Sequence, residues 1–351
     1  MIKQKTLHIL YSGLGGTTDY VFNLIKADVE HKFEHVILFY GVEEVPEQQL
    51  KLANSLVNTV GFIHKKQGFD SSSFKQVFSY IQSQAPNQIT LHVNSLIVTC
   101  AKYKASKLIF VEHQANHLKT KKEWLWSIIA QKKADYVITL TEAYQKELHH
   151  KLRFLYYPTK NKVIKTGLVL ADYTSNQNVK SDVTKVGMVS RINHFRDHKT
   201  LIEGFNLINL PNIELHIAGD GVLLKELRAL KYSNVIFHGN IPQKEIPHFL
   251  SGLTIYCQAS KGETSSIALM QAQASGLPII ATNVKGINNV LTSTNCILVT
   301  PNSVSEYKNA LKLLINDPEK RQILAKNSLV YATANLSHFS MFEGYKNILN
   351  S

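Results

Sequence analysis

An acidic residue just before a hydroxyl-rich helix start is the strongest chemical signal in this chain. Glu263 lies in GETSSIALMQAQASGLPIIAT, which continues into a helix of small residues and a strand. If the helix begins near Ser265 or Ser266, its unpaired N–H groups and positive dipole end favour an anion, and Gln271 falls in the second turn. A phosphorylated sugar has matching chemistry. The alternative is an ordinary capped helix with Ser265 or Thr264 as N-cap, and this stretch alone does not separate the two.

Two arginines form the second chemical feature. Arg191 and Arg196 flank the loop in GMVSRINHFRDHKTLIEGF, between a strand and a helix. Guanidinium groups bind phosphate bidentately and stay charged when partly desolvated. The loop therefore suits a pyrophosphate whose charge grows as a neighbouring bond breaks. The alternative is a pair of solvated surface charges.

Glycines follow strands in both halves of the chain. Gly219 lies in LHIAGDGVLLKEL, and Gly15 and Gly16 end the GLGG that follows the first strand. Glycine lets the backbone approach a ligand closely, although a lone Gly-Asp-Gly is more often only a tight turn. The GxGxxG fingerprint is absent, and no acidic residue lies at the distance that binds a ribose. A dinucleotide-dependent enzyme is therefore disfavoured.

Two histidine pairs have the spacing of a helical metal site. They are His113 with His117 and His194 with His198. Each pair lies partly in a predicted loop, and no acidic third ligand is evident, so we expect no metal site. We also expect no cofactor. His113 lies just past a strand end, where it can reach a sugar hydroxyl.

The elements that position these residues alternate between apolar strands and helices, which predicts an α/β protein with two Rossmann-like domains facing across a cleft. The predicted strands are LHILY, HVILFY, TLHV, KLIFV and DYVITL, then KVGMVS, IELHIAG, NVIFHG, TIYCQ and PIIAT. Helices are predicted over 17–29, 71–84, 119–132 and 142–150. We expect domains at 1–170 and 186–335, a polar linker at 171–185, and a helix at 336–351 that returns to the first domain.

Composition agrees with a two-domain cytoplasmic enzyme. The chain has 351 residues, of which 44% are apolar, enough for two cores. Cys100, Cys257 and Cys296 are scattered without CxxC spacing, as in a reducing compartment. No apolar run approaches the roughly 18 residues that cross a bilayer. We therefore expect a cytoplasmic protein whose membrane contact, at the inner face, is peripheral.

A net charge of +13 calls for an anionic partner. Residues 1–175 contain 22 lysines and arginines against 14 acidic residues, so most of the excess lies in the first half. Residues 116–133 combine five lysines with Trp124, Trp126, Ile128 and Ile129, a composition that suits an anionic membrane surface. An equally good reading is a core helix with solvated lysines. No nucleic-acid-binding module is visible, so we expect no nucleic-acid partner.

Over nearly its whole length the chain resembles the retaining glycosyltransferases of the GT-B fold, family 4, also called glycosyl transferases group 1. That family carries two glutamates with seven residues between them, the second followed shortly by Gly-x-Pro. Glu263 matches the first glutamate, whereas Gln271 occupies the position of the second, before Gly-Leu-Pro. Arg191 matches the arginine of the family's Gly-Arg-Leu, and Arg196 occupies the position of a lysine five residues later.

The resemblance implies a role for each residue. Arg191 and Arg196 would hold the donor diphosphate, Glu263 would orient the sugar, and Gln271 would meet the ribose with a neutral side chain in place of a carboxylate. The other implied contacts come from His113 near the transferred sugar, from the backbone of Gly15, Gly16, Gly219 and Ile241, and from the helix start at Ser265 and Ser266.

The resemblance implies a metal-independent hexosyltransferase that moves a sugar from a nucleotide-sugar donor, expected to be a UDP-sugar, to a glycan or lipid-linked acceptor of the cell envelope. No general base is assignable, because the family is thought to use the leaving phosphate to take the acceptor proton. The changes at Arg196 and Gln271 leave a second hypothesis open, a noncatalytic sugar-nucleotide-binding partner of a glycan-assembly complex. A nucleotide-sugar isomerase is a third, for which the sequence offers no acid and base pair.

Overall fold

The computed structural model describes residues 3–13, 15–173, 183–263 and 266–349. The chain divides into two compact units, one formed by Met1–Gly167 with His338–Ser351 and the other by Leu168–Ser337. The predicted linker 171–185 lies mostly outside the described residues, and its last two residues already belong to a strand. Among the described helices none is long and apolar enough to cross a membrane.

The first unit is built on a parallel sheet. Its strands are β1 (Gln4–Tyr11), β2 (Phe33–Gly41), β3 (Thr59–His64), β4 (Gln88–Leu91), β5 (Lys107–Glu112), β6 (Tyr136–Thr139) and β7 (Asn161–Val163). Their order is β3-β2-β1-β4-β5-β6-β7, with every neighbour parallel. The helices between them are α1 (Gly16–Lys26), α2 (Glu47–Leu56), α3 (Ser71–Gln84), α4 (Ile97–Cys100), α5 (Lys121–Lys133) and α6 (Glu142–Leu152).

The second unit repeats this plan with a smaller parallel sheet. Its strands are β8 (Thr184–Val189), β9 (Ile213–Ala218), β10 (Val235–Gly239), β11 (Ile255–Gln258), β12 (Ile279–Thr282) and β13 (Cys296–Val299), in the order β10-β9-β8-β11-β12-β13. The helices are α7 (His198–Asn206), α8 (Leu224–Arg228), α9 (Ile246–Ser251), α10 (Ile267–Ala274), α11 (Val304–Asn316) and α12 (Pro318–Asn335).

Each sheet is buried on both faces. All four residues of β11 and the central five of β1 are buried, because helices cover both sides of a parallel sheet. In the first unit one apolar cluster lies on each face, and the second unit shows the same division. The two-sheet parallel α/β architecture therefore confirms the predicted fold class.

The last helix, α13 (His338–Leu349), packs in the first unit although it follows the second in the chain. The Tyr345 hydroxyl lies 3.1 Å from the Tyr20 hydroxyl of α1, and the Phe342 ring packs edge-on against Phe33. The Gln88 amide also donates to the Leu349 carbonyl at 3.0 Å. These contacts hold α13 against α1 and against strands β2 and β4 of the first sheet.

Candidate functional site

The second sheet contains a topological switch point between β8 and β11. From β8 the chain runs outward to β9 and β10, and from β11 it runs the other way to β12 and β13. In open α/β sheets the crevice at the carboxyl ends of two such strands binds ligands. Arg191 and Arg196 follow β8, and Glu263 follows β11. The residues selected from the sequence therefore flank this crevice.

Glu263 is buried and held by three side chains. One carboxylate oxygen, Oε1, accepts hydrogen bonds from Gln258 Nε2 at 2.9 Å and Ser260 Oγ at 3.1 Å. The other, Oε2, accepts from Arg196 Nη2 at 3.0 Å. Burial raises the pKa of the Glu263 carboxyl, and the charge of Arg196 opposes that rise. The side chain is thus an acceptor in a fixed orientation.

The Arg196 side chain and the backbone of the residues on either side of it all bond to the loop after β11, which carries Glu263. Its Nη2 lies 3.0 Å from Glu263 Oε1 as well, and its Nη1 donates to the Gly262 carbonyl at 3.3 Å. On either side, Asp197 N donates to the Ala259 carbonyl and Lys261 N to the Phe195 carbonyl, both at 3.0 Å. The loops after β8 and β11 therefore form one connected structure.

Buried polar atoms without a protein partner gather in this region. They include Arg196 Nε, Asp197 Oδ2, His198 Nδ1 and Gln271 Nε2. These atoms lie on the two segments that flank the crevice, residues 196–198 after β8 and Gln271 in α10 after β11. Buried polar groups are normally hydrogen-bonded, so these atoms indicate where a polar ligand would bind. Sequence reasoning had singled out only Arg196 and Gln271 for ligand binding.

His198 is the main residue of this region that the sequence did not assign to the site. Its Nε2 lies 2.9 Å from Ser190 Oγ, and its ring is 1% exposed. Burial, with a smaller contribution from the charge of Arg196, lowers the pKa of His198 to about 4. The ring is therefore neutral at pH 7. The spacing of His194 and His198 had suggested only a metal site, and His194 is exposed.

The helix after Glu263 begins close to Ser266, as the sequence predicts. Ser266 is the N-cap of α10, and its Oγ accepts a hydrogen bond from Leu269 N at 3.4 Å. A serine oxygen in this role satisfies one free N–H of the first turn. Ser265 and Thr264 lie outside the described residues. Gln271 falls in the second turn as expected, 3% exposed.

Packing within the second unit explains why residue 219 is a glycine. Its φ is 141°, and a Cβ atom there would lie 1.8 Å from the Ser190 carbonyl oxygen. Gly221 is similar, because its Cβ would lie 2.3 Å from the Ile192 carbonyl oxygen. The Gly-Asp-Gly turn thus packs against the loop after β8, and no ligand is needed to explain the glycines. Ile241 follows β10 and is partly buried against the neighbouring apolar cluster.

Arg191 differs from Arg196 in being exposed. Within the part of the chain that the structure describes, its side chain makes no hydrogen bond or ion pair. Its position just after β8 leaves the guanidinium available to an anion at the switch point. The two arginines predicted to act together therefore have different surroundings in the protein.

The first unit has a comparable switch point between β1 and β4. Gly15 is the N-cap residue of α1, and Gly16 is the first helical residue, so no side chain caps the helix start. Both are exposed, and a Cβ on Gly15 would meet no atom within 4 Å. Unlike Gly219, Gly15 therefore has no packing reason to lack a side chain.

His113 forms part of a buried aromatic group at the same end of this sheet. Its Nε2 lies 2.7 Å from His92 Nδ1, and its ring meets the Tyr20 ring edge-on at 5.2 Å. Burial lowers the pKa of His113 to about 4. His92, whose Nε2 is buried without a partner, was missed by the sequence reasoning because a single strand-end histidine carries no pattern. Asp19 in the first turn of α1 was missed too, and burial raises its pKa to about 7.

Two histidine pairs have the spacing of a metal site, although the sequence predicts none. Among the described residues no group of three or more histidine, cysteine, aspartate or glutamate side chains could hold a metal ion. His117 is exposed, whereas His113 is engaged with His92.

Comparisons with known proteins agree with this geometry. Residues 172–329 match the family model described as glycosyl transferases group 1. An uncharacterized glycosyltransferase of Methanocaldococcus jannaschii is 25% identical over 274 residues, 70% of this chain and 69% of that protein. The Escherichia coli UDP-Gal:alpha-D-GlcNAc-diphosphoundecaprenol alpha-1,3-galactosyltransferase is 29% identical over 135 residues, 37% of this chain and 34% of that protein. HepE of Anabaena, solved with UDP and glucose, superposes with a TM-score of 0.84 at 18% identity over 99% of this chain and 100% of that chain.

Proposed function

Because this chain is a glycosyltransferase of the GT-B fold whose residues 172–329 match the model for glycosyl transferases group 1, we propose that it transfers a hexose with retention from a UDP-sugar. The acceptor is a hydroxyl of a glycan or lipid-linked intermediate in cell-envelope polysaccharide synthesis. The reaction uses no metal and no cofactor, and it takes place at the inner face of the membrane.

The observation that carries the proposal is the Arg196–Glu263 pair at the switch point of the second sheet. It combines a guanidinium with a carboxylate whose orientation is fixed by Gln258 and Ser260. A sugar diphosphate needs both, a cation at the phosphate and an acceptor at the sugar hydroxyls. An ordinary capped helix would require neither.

In the proposed mechanism, the bond between the anomeric carbon and the diphosphate oxygen breaks while Arg191 and Arg196 stabilise the growing phosphate charge. The acceptor hydroxyl attacks the same face and passes its proton to the departing phosphate oxygen. Glu263 orients the sugar, Gln271 contacts the ribose, and the α10 start contributes N–H groups.

The first unit supplies the other contacts of this proposal. The family resemblance assigns the backbone of Gly15 and Gly16 to the donor phosphates, and the space beside Gly15 is open. His113 is neutral near pH 7 because burial lowers its pKa, so it acts as a hydrogen-bonding group toward the sugar.

The relatives support the donor and acceptor classes. The name of the E. coli relative gives UDP-Gal as its donor and a diphosphoundecaprenol-linked sugar as its acceptor. HepE was solved with UDP and glucose. We extend these classes to this chain because its second unit carries the Arg196–Glu263 pair beside the switch point.

The first experiment is a calorimetric titration with UDP, GDP and ADP in EDTA-containing buffer, on wild type and on Arg191→Ala. We expect UDP to bind without metal and Arg191→Ala to weaken it at least about tenfold, since a charged phosphate contact is lost. Failure of all three diphosphates to bind would contradict the donor assignment, and restoration of binding by added divalent metal would contradict metal independence.

Glu263→Ala tests the role of the carboxylate. We expect turnover to fall far more than UDP affinity, because the sugar and not the nucleotide contacts Glu263. Equal loss of both would refute that role. NMR of the product would show the anomeric configuration, and inversion would contradict retention.

The second candidate is a noncatalytic sugar-nucleotide-binding partner of a glycan-assembly complex. One observation favours it: both oxygens of Glu263 are already engaged by side chains of the protein. This candidate predicts UDP-sugar binding without transfer to any acceptor and without hydrolysis. Detection of a glycosylated product excludes it.

A further inference from the structure

The first unit carries an exposed surface that combines cations with large apolar side chains. We call it the α5 surface and define it by Leu125 of α5, Phe154 in the turn after α6, and the exposed cations Lys121, Lys122, Lys132, Lys151 and Arg153. Phe154 is 87% exposed and Leu125 is 52% exposed. The turn Arg153–Leu155 packs against α5, so both apolar residues belong to one region.

Three of the four apolar side chains that the sequence assigned to membrane contact are engaged within the protein. Trp126 and Ile129 pack against the apolar cluster on one face of the first sheet. The Trp124 ring lies under two ammonium groups, with Lys119 Nζ at 4.7 Å and Lys151 Nζ at 5.8 Å from its centroid. The aromatic centre of residues 116–133 therefore holds α5 in place, and Leu125 and Phe154 are the most exposed of the large apolar side chains in this region.

Three of the five cations share the exposed face of α5. Lys121 and Lys122 lie four and three residues before Leu125, and Lys132 lies seven after it, which places all three beside Leu125 on the helix. The acidic residue of the first turn, Glu123, is engaged by Thr120 through its backbone N–H at 2.6 Å and its hydroxyl. The face therefore has a clear positive excess.

The protein holds this surface rigidly. A capping box of Thr120 and Glu123 fixes the start of α5. Behind the helix the Lys119 ammonium is fully buried and pairs with Glu112 at 2.8 Å. Arg153 has a φ of 51°, a conformation that non-glycine residues rarely adopt, and it caps α6 so that Phe154 projects outward. A large apolar side chain is thus held in water by a fixed backbone.

We propose that the α5 surface binds an anionic lipid bilayer, with Phe154 and Leu125 entering the interface and the five cations contacting lipid headgroups. The charge of the chain supports this occupant, since 22 basic against 14 acidic residues lie in 1–175. Basic residues around a few exposed apolar side chains match the interface of an anionic leaflet. This lipid binding needs no donor or acceptor, so it stands independently of the proposed transfer reaction.

The test is vesicle flotation of the full chain without nucleotide. One set of vesicles contains phosphatidylcholine with about 30% phosphatidylglycerol, which gives an anionic surface. The other set contains phosphatidylcholine alone. We expect the wild type to float only with the anionic vesicles. Lys121→Glu with Lys122→Glu should lower the partition coefficient more than about tenfold, and Phe154→Ser with Leu125→Ser about tenfold.

Matched controls separate the surface from overall properties. Phe69→Ser removes another phenylalanine of the same unit, which is 85% exposed. Lys75→Glu with Lys312→Glu makes the same change of net charge at exposed positions on α3 and α11. Both controls should float like wild type, and circular dichroism should show all variants folded.

Three results would overturn the proposal. These are equal flotation with neutral and anionic vesicles, equal loss in the control charge variant, and undiminished flotation of the Phe154 and Leu125 variant. The last result would leave the surface to a protein partner. Because no step of the assay uses a nucleotide, a failure here leaves the transferase proposal to be judged by its own titrations.

Discussion

The Arg196 guanidinium and the Glu263 carboxylate, which are 67 residues apart in the chain, form an ion pair with Nη2 3.0 Å from both carboxylate oxygens. The carboxylate is almost fully buried and the guanidinium is one-fifth exposed. Each therefore reduces the cost of burying the other. The pair has a structural role in the free protein and, in our proposal, a chemical one when the donor binds.

The energetic coupling of this pair can be measured. Arg196→Ala should lower the free energy of unfolding by about 3 kcal/mol, because it leaves a buried carboxylate without its counter-ion. Glu263→Gln should cost less, since the amide still fits between Gln258 and Ser260. In the double variant we expect a loss smaller than the sum by about 1 kcal/mol or more in urea unfolding. Additive losses would show that the two side chains are not energetically coupled.

Gln271 offers a second prediction. Its Nε2 is buried without a partner, and Gln271→Glu would replace it with a charged acceptor. If the side chain meets the ribose, the variant should favour UDP over 2′-deoxy-UDP about fivefold more than wild type does, because an ionised acceptor binds hydroxyls more strongly. Calorimetry with both nucleotides measures this ratio, and an unchanged ratio would remove Gln271 from the ribose site.

The control for that variant is Gln273→Glu in the same helix. Gln273 is fully buried, and its Nε2 donates to the Val290 carbonyl at 3.1 Å. Both substitutions bury a carboxylate and should lower the melting temperature of the free protein. Gln273→Glu, however, should leave the nucleotide ratio as it is.

The glycines of the two units should respond differently to alanine. Gly219→Ala brings a Cβ atom against the Ser190 carbonyl at a residue with positive φ, and we expect it to cost about 2 kcal/mol of stability or more. Gly15→Ala places its Cβ in open space, so the melting temperature should stay within a degree or two. Its effect should be on turnover instead. A large destabilisation by Gly15→Ala would show a packing role that the structure does not contain.

The pH dependence of stability should report His198. Burial lowers its pKa to about 4, whereas an unfolded histidine has a pKa near 6.5. The unfolded chain therefore binds the proton first, and stability that is complete above pH 6.5 falls as the pH drops toward 4. At pH 5 the loss relative to pH 7 should be about 2 kcal/mol smaller in His198→Gln than in wild type. Parallel curves for the two proteins would contradict this.

Patterns in the sequence predicted the buried strands well. Ten strands were predicted, and each overlaps a strand of the structure. The strands without a prediction are β3, β7 and β13, and each lies at a sheet edge. An edge strand is half-exposed or very short, as in Asn161–Val163, so its apolar pattern is weak. The helix predicted over 71–84 matches α3 at both ends, where Asp70 caps the start with its side chain and Ala85 is left-handed at the C-cap.

Motifs located the strand ends of the site but not the contacts across it. Glu263 and Arg196 were selected separately, and nothing in their spacing predicts that they form an ion pair. The link between His198 and Ser190 depends on how the loop after β8 folds back, which local propensity does not determine. His92 likewise becomes notable only through its contact with His113 on the next strand.

The position of α13 has a consequence for biosynthesis. A ribosome makes residues 168–337 before it makes α13, yet Met341, Phe342 and Tyr345 complete the apolar cluster of the first unit. During synthesis the first unit therefore lacks part of its apolar cluster until α13 is made. The second unit has contiguous residues, so all of its core residues are available before that. Expressed alone, 168–337 has every element of its core, whereas 1–167 lacks one helix and exposes the apolar surface around Tyr20 and Phe33. Truncation before His338 should accordingly turn the first unit into a substrate for chaperones and proteases.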